Sequence, residues 1–344
     1  MSSVKPAIEE IMFRVRDGLK LQARCYRAAQ PQGRPALCLP GLTRNGRDFH
    51  DLALHLSTQA PILRNVYTLD YRGRGLSQWD SEWKNYDLPT ETHDVIDFMA
   101  RVGLIDAAII GTSRGGLIAM FLAALQPSAI GSVILNDIGP VIETDGIMRI
   151  AGYVGLIPLP RDWSEAVMLI KSGNRRHFPA VTDDEWAVIA RQWYNEKNGK
   201  PASGYDPKLK NTMSVLDGPM PELWPQFEAL KRVPLLVLRG QNSDILSKTT
   251  ITEMHRRHPA LRSHVVPKQG HAPLLRDKPT KDEITRFLME TDNGGLQIFQ
   301  EAQQTETHDQ PVAHATQQPR HHQAANDDAR PSLINTILNG TTSG

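Results

Sequence analysis

The run Ile109-Ile110-Gly111-Thr112-Ser113-Arg114-Gly115-Gly116 passes from continuous apolar residues into Gly-x-Ser-x-Gly and on into helical spacing. Few folds accommodate that order, because a serine at its centre occupies a tight, strained turn whose flanking positions have no room for a Cβ. Gly111 and Gly115 provide the room. Ser113 is expected to stand exposed at the tip of a buried strand.

The surrounding chain alternates between two periods. Residues 11–15 and 19–26 flank Asp17-Gly18 and predict an antiparallel hairpin. Short apolar runs at 36–39, 66–69, 107–110 and 133–135 predict strands buried on both faces. Between them, Phe49, Leu52, Ala53 and Leu56 predict a helix face, as do Val95, Phe98, Met99 and Val102, and Leu117, Met120, Phe121 and Ala124. Strand-helix alternation of this kind predicts a mostly parallel central sheet with helices on both faces and ligands beyond the carboxyl ends of the strands. The alternation stops over 142–231, where helices without strands are expected, with Asp162/Glu165 and Thr182/Glu185 as helix-start capping pairs. Four of the six tryptophans, Trp163, Trp186, Trp193 and Trp224, fall there. Most are expected to pack this insertion onto the body, with one or two lining a substrate cavity. Strands at 234–238 and 263–266 and helices over 248–258 and from Pro279 resume the pattern. The reading divides the chain into a core, 1–141 and 232–290, a helical cap, 142–231, and a tail, 291–344, rich in Gln, Asn, Thr and His and predicted disordered.

Composition narrows the function classes. With 39 basic and 38 acidic side chains the formal net charge is +1, which gives no footprint for nucleic acid or anionic lipid and favours a small-molecule substrate. Residues 115–136 carry no formal charge, but Gln126-Pro127-Ser128 and Gly131 break the run, so no membrane span is predicted. Met1 to Glu10 shows no apolar signal segment, and two irregularly spaced cysteines, Cys25 and Cys38, fit a reducing compartment. A cytoplasmic location is therefore expected. His308, His314, His321 and His322 lack ligand spacing, and neither a metal nor a cofactor is assigned.

Acyl-bond hydrolysis by serine requires a base for the hydroxyl proton, an acid to hold that base, and N–H donors for the oxyanion. His271, in Lys268-Gln269-Gly270-His271-Ala272 after the last strand, is the expected base, because imidazole titrates near neutral pH. Asp244, in Gly240-Gln241-Asn242-Ser243-Asp244, follows a strand in the chain order Ser, Asp, His and is the expected acid. Asp137, after strand 133–135, is the alternative acid because the two strand ends are neighbours. The backbone N–H groups of Leu42 and Arg114 are the expected oxyanion donors. The Arg114 side chain is expected to pair with a framework carboxylate, and Asp70 and Arg72 to brace the loop after their strand.

Together these residues resemble the α/β-hydrolase superfamily. Leu39-Pro40-Gly41-Leu42 is similar to its His-Gly oxyanion loop, 70–77 to its D-x-R-G-x-G-x-S segment, and 111–116 to its nucleophile elbow. Pro40 stands where many relatives have histidine, and Ser113 departs from the branches whose nucleophile is a carboxylate. The resemblance implies an α/β-hydrolase fold with a helical cap and a cofactor-free reaction through an acyl-enzyme. The leading expectation is a carboxylic ester hydrolase acting on a small or medium, apolar acyl substrate. The alternatives are an amide or lactone hydrolase such as an N-acyl-homoserine lactone acylase, and a non-catalytic ligand-binding receptor of the same fold.

Overall fold

The computed structural model describes residues 8–218 and 220–292. The predicted tail therefore lies outside the described residues, apart from its first two positions. The chain opens with the hairpin β1 (Ile8–Arg14) and β2 (Lys20–Tyr26), turning at Gly18 with φ of 88°. There follow β3 (Ala36–Leu39), α1 (His50–Thr58), β4 (Val66–Asp70), α2 (Leu88–Val102), β5 (Ala107–Thr112), α3 (Arg114–Leu125) and β6 (Ile130–Asn136). The insertion then holds α4 (Thr144–Ala151), α5 (Trp163–Asn174), α6 (Asp183–Trp193), β7 (Asn195–Lys197), β8 (Lys200–Ala202), a 3-10 helix (Pro207–Asp217) and α7 (Trp224–Glu228). The last core elements are β9 (Leu235–Gly240), α8 (Lys248–Arg257), β10 (Arg262–Val266) and α9 (Lys278–Asp292).

Eight strands form one sheet in the order β1-β2-β4-β3-β5-β6-β9-β10. Only the β1/β2 and β2/β4 pairs are antiparallel; every pair from β4 through β10 is parallel. This is the mostly parallel sheet that the strand-helix alternation predicted, in the α/β-hydrolase fold that the resemblance implied. Successive residues of the central strands divide between two apolar layers. Leu37, Leu39 and Ile109 join the layer with Phe98 of α2 and Ile118 of α3, whereas Cys38, Ala108 and Ile110 join the layer with Leu52 of α1 and Phe287 of α9. Alternation is a geometric property of the pleat. Apolar side chains on both faces are its consequence in a sheet covered twice.

Four details differ from the sequence reading. In α3 the buried positions include Ile118, Leu122 and Ala123, while Ala124 is exposed, because this helix packs against α2 and α7 as well as the sheet and so buries more than one stripe. The insertion contains the antiparallel β7/β8 hairpin where helices alone were expected. The closing helix runs to Asp292, two residues beyond the compositional break, and the Asp292 carboxylate meets the buried Arg64 guanidinium at 2.7 Å. Of the tryptophans only Trp186 is fully buried. Among the described residues no helix is long and apolar enough to cross a membrane, and the uncharged 115–136 run is divided between α3 and β6.

The turn between β5 and α3 is packed to contact. A Cβ on Gly115 would lie 2.0 Å from the Leu39 carbonyl oxygen, and one on Gly111 would lie 2.5 Å from the Gly115 backbone. Both obstacles are main chain and cannot rotate aside. Gly115→Ala should therefore cost roughly 3 kcal/mol of unfolding free energy or more, read from a urea titration; a loss below about 1 kcal/mol would show that β3 and α3 yield easily.

Candidate active site

The sheet order places four strand ends side by side. Ser113 follows β5, Asp137 follows β6, Asp244 lies a few residues beyond β9, and His271 lies in the loop after β10. Ser113 is held at φ of 51° and ψ of −114°, a sparsely populated conformation that only an over-determined turn maintains. Its N–H donates to the Asn136 carbonyl at 3.0 Å, tying the elbow to the neighbouring strand. The Asn136 amide in turn donates to Thr112 Oγ1 and to the Pro273 carbonyl, at 3.0 and 2.9 Å, which fixes the histidine loop over the same strand ends.

His271 Nε2 stands 2.8 Å from Ser113 Oγ, and its Nδ1 stands 2.8 Å from Asp137 Oδ2. The carboxylate against the histidine is thus Asp137, the alternative acid, and not Asp244. Asp137 is fully buried, and it also accepts from the Gly240 N–H at 2.7 Å and the Ser243 hydroxyl at 2.6 Å. Sequence reasoning missed Ser243, since nothing local marks a serine as the support of a carboxylate 106 positions away.

Asp244 is engaged elsewhere for a geometric reason. Helix α4 lies directly on its backbone, to the point that a Cβ on Gly146 would be 2.2 Å from the Asp244 carbonyl oxygen. From the same helix, Arg149 Nε and Nη2 reach the two carboxylate oxygens at 2.5 and 2.8 Å. Burial alone would push the Asp244 carboxyl up, but the Arg149 hydrogen bonds and charge, together with its own backbone and His177, hold it below the usual aspartate range. A carboxyl more acidic folded than unfolded stabilises the fold fully above the unfolded value near 3.9 and loses that contribution as pH falls through the folded value. Asp244→Asn should therefore lower stability by about 1 kcal/mol at pH 7. The wild-type advantage should fade below about pH 4, and a difference constant down to pH 2 in denaturant titrations would contradict the ion pair.

The expected oxyanion donors sit on a second buried charge cluster. Among the described residues neither the Leu42 nor the Arg114 backbone N–H has an acceptor. The Arg114 side chain pairs with a framework carboxylate as anticipated: its Nε meets Glu91 Oε2, while Glu91 Oε1 meets Arg74 Nη1, each at 2.5 Å. Arg74 Nε donates to the Leu42 carbonyl at 2.8 Å. One fully buried carboxylate on α2 therefore connects both loops. Nearby, Asp70 accepts from the Gly46 and Leu76 N–H groups at 2.7 and 2.9 Å, and Arg72 forks onto Asp94, bracing the loop after β4. Removing one partner of such a cluster strands buried charge, so Glu91→Gln should cost roughly 3 to 5 kcal/mol in chemical denaturation; a loss under about 1 kcal/mol would mean water reaches the two guanidinium groups.

A cavity of about 270 Å³ opens at Ser113 and His271. Core loops supply Leu42, Arg44 and Arg276, and the insertion supplies Tyr153, Phe178 and Trp193. Trp193 is the tryptophan that lines the cavity, its ring 3.4 Å from the Arg44 guanidinium carbon. Among the described residues no cluster of His, Cys, Asp and Glu is arranged to hold a metal.

The sequence matches the profile of the alpha/beta hydrolase family over residues 36–282, and the chain belongs to that family. A 3-hydroxybutyrate-oligomer hydrolase from Cupriavidus necator is 33% identical over 258 residues, 71% of this chain and 84% of that one. A 2-(acetamidomethylene)succinate hydrolase from Mesorhizobium japonicum is 25% identical over 233 residues, 67% of this chain and 79% of that one. The crystal structure of an alpha/beta hydrolase from Novosphingobium aromaticivorans aligns with a TM-score of 0.76 at 35% identity, over 82% of this chain and 98% of that one.

Proposed function

We propose that the protein is a serine hydrolase that cleaves a carboxylic ester of a small or medium acyl substrate through an acyl-enzyme. The unbroken Ser113–His271–Asp137 hydrogen-bond chain, 2.8 Å at each link, carries this reading. In the first half-reaction His271 Nε2 takes the Ser113 proton as Oγ attacks the ester carbonyl. The oxyanion forms against the Leu42 and Arg114 N–H groups, and His271 then gives its proton to the departing alkoxide. In the second half-reaction water, deprotonated by His271, attacks the acyl-enzyme and returns Ser113 with a free carboxylic acid. Asp137 keeps Nδ1 as the protonated nitrogen and stabilises the imidazolium, with Ser243 and the Gly240 N–H donating to its two oxygens.

The size of the cavity and its largely apolar lining support a short acyl chain. The activity in the name of the Cupriavidus necator relative, hydrolysis of 3-hydroxybutyrate oligomers, supports an ester as the bond broken.

A fluorophosphonate probe should label the wild-type protein and leave Ser113→Ala unlabelled. Asp137→Asn should lose about ten-thousand-fold in kcat on a p-nitrophenyl ester, the cost of holding the wrong tautomer, whereas Asp244→Asn should stay within about tenfold of wild type. Reversal of that order would return the acid to Asp244, and persistent labelling of Ser113→Ala would remove the serine from the mechanism.

A further inference from the structure

Five side-chain N–H groups are enclosed without an acceptor among the described residues: Arg44 Nε, Arg64 Nε, Arg74 Nη2, Trp193 Nε1 and Arg276 Nη1. Three of them, on Arg44, Trp193 and Arg276, belong to residues that line the cavity at Ser113. An enclosed donor left unpaired is costly; these three have almost no accessible surface, so a ligand oxygen in the cavity meets them after a small shift of the side chains, a shift that pairing the donors favours.

The two arginines are only half engaged. Arg44 gives Nη2 to Asp48 at 2.6 Å, and its Nε has no acceptor among the described residues. Arg276 Nη2 stands 3.0 Å from Asp51, and its Nη1 is unpaired. The third arginine of the lining, Arg149, is closed off by its two-pronged bond to Asp244. Arg44 also stands close to the chemistry. A Cβ built on Gly41 would lie 3.5 Å from Arg44 Cγ and 3.8 Å from Ser113 Cβ, so the arginine stem and the nucleophile border the same point. Stacking on Trp193 holds the guanidinium plane in place.

We propose that Arg44 and Arg276 form a subsite for a carboxylate, and that the preferred substrate is an ester whose acyl chain ends in one. This rests on the esterase reading above. The guanidinium fork matches the two oxygens of a carboxylate, and Asp48 and Asp51, which already offset one charge each, leave directed N–H groups as the source of recognition. The acyl part is the part assigned here because it stays on Ser113 through both half-reactions, whereas the alcohol has to leave.

The test compares 4-nitrophenyl hydrogen adipate with 4-nitrophenyl methyl adipate, which differ in the terminal charge and one methyl group, after subtraction of spontaneous hydrolysis. Wild-type protein should favour the charged ester by about tenfold or more in kcat/KM, the worth of one charge-assisted hydrogen bond. Arg44→Gln and Arg276→Gln should each reduce that ratio several-fold, and Arg44→Lys should restore part of it. A wild-type ratio near one, or a ratio unmoved in both glutamine variants, overturns the subsite. Calorimetric titration of the Ser113→Ala protein with monomethyl adipate and with dimethyl adipate separates this inference from the esterase reading. Tighter binding of the monoanion than of the neutral diester sustains the subsite even where neither 4-nitrophenyl ester is turned over, and equal or absent binding overturns it.

Discussion

The Glu91 carboxylate, fully buried on α2, is the interaction on which the geometry around Ser113 depends. It receives Arg114 from the start of α3 and Arg74 from the loop after β4, and Arg74 passes the restraint on to the Leu42 carbonyl. The loops that carry Leu42 and Arg114 are thereby referenced to a single helix. Backbone N–H groups cannot be aimed by rotamer choice as side chains can, so the only way to orient them is to fix the peptides on either side. The closeness of Gly115 to the Leu39 carbonyl acts in the same sense, since it sets the distance between β3 and α3 by main-chain contact alone.

How much of this was legible in the sequence follows from how local each determinant is. Apolar runs flanked by Gly or Pro located β3, β5 and β6 to within a few residues, because strands buried on both faces leave a contiguous signature. Ser113 and His271 were identifiable for a related reason: each is specified by its immediate neighbours. The partner of His271 was not so specified. Asp137 and Asp244 both follow core strands, and what separates them is Arg149, 95 positions upstream of Asp244 on a helix that sequence periodicity cannot place over β9. Glu91 and Asp94 were equally hidden, because charged residues on an amphipathic helix are ordinarily assigned to the solvent face, and only the arginines they meet explain their burial.

The insertion shows the same division between local and distant causes. The Thr182/Glu185 capping box starts α6 as its sequence indicates, and Asp162 caps α5 through the Glu165 N–H. The role of Trp193 at the other end of α6 is set by its contact with Arg44, a residue of the core. Helix starts are written within four residues; cavity walls are assembled from segments that meet only in the folded chain.

The attachments of the insertion are distributed unevenly. From the end of α6 onward it is stitched to the core by Asn45 and Arg47 on the carbonyls of Gln192 and Tyr194, by Asn195 on Gly75, and by the Tyr86 hydroxyl on Asp206. The stretch between α4 and α5 instead presents Leu156, Ile157 and Leu159 outward, and Ile157 and Leu159 also border the cavity. The cavity wall is thus pinned by hydrogen bonds on the α6 side, where Trp193 faces Arg44, and along the 156–159 edge it is a strip of apolar side chains shared between the cavity and the surface.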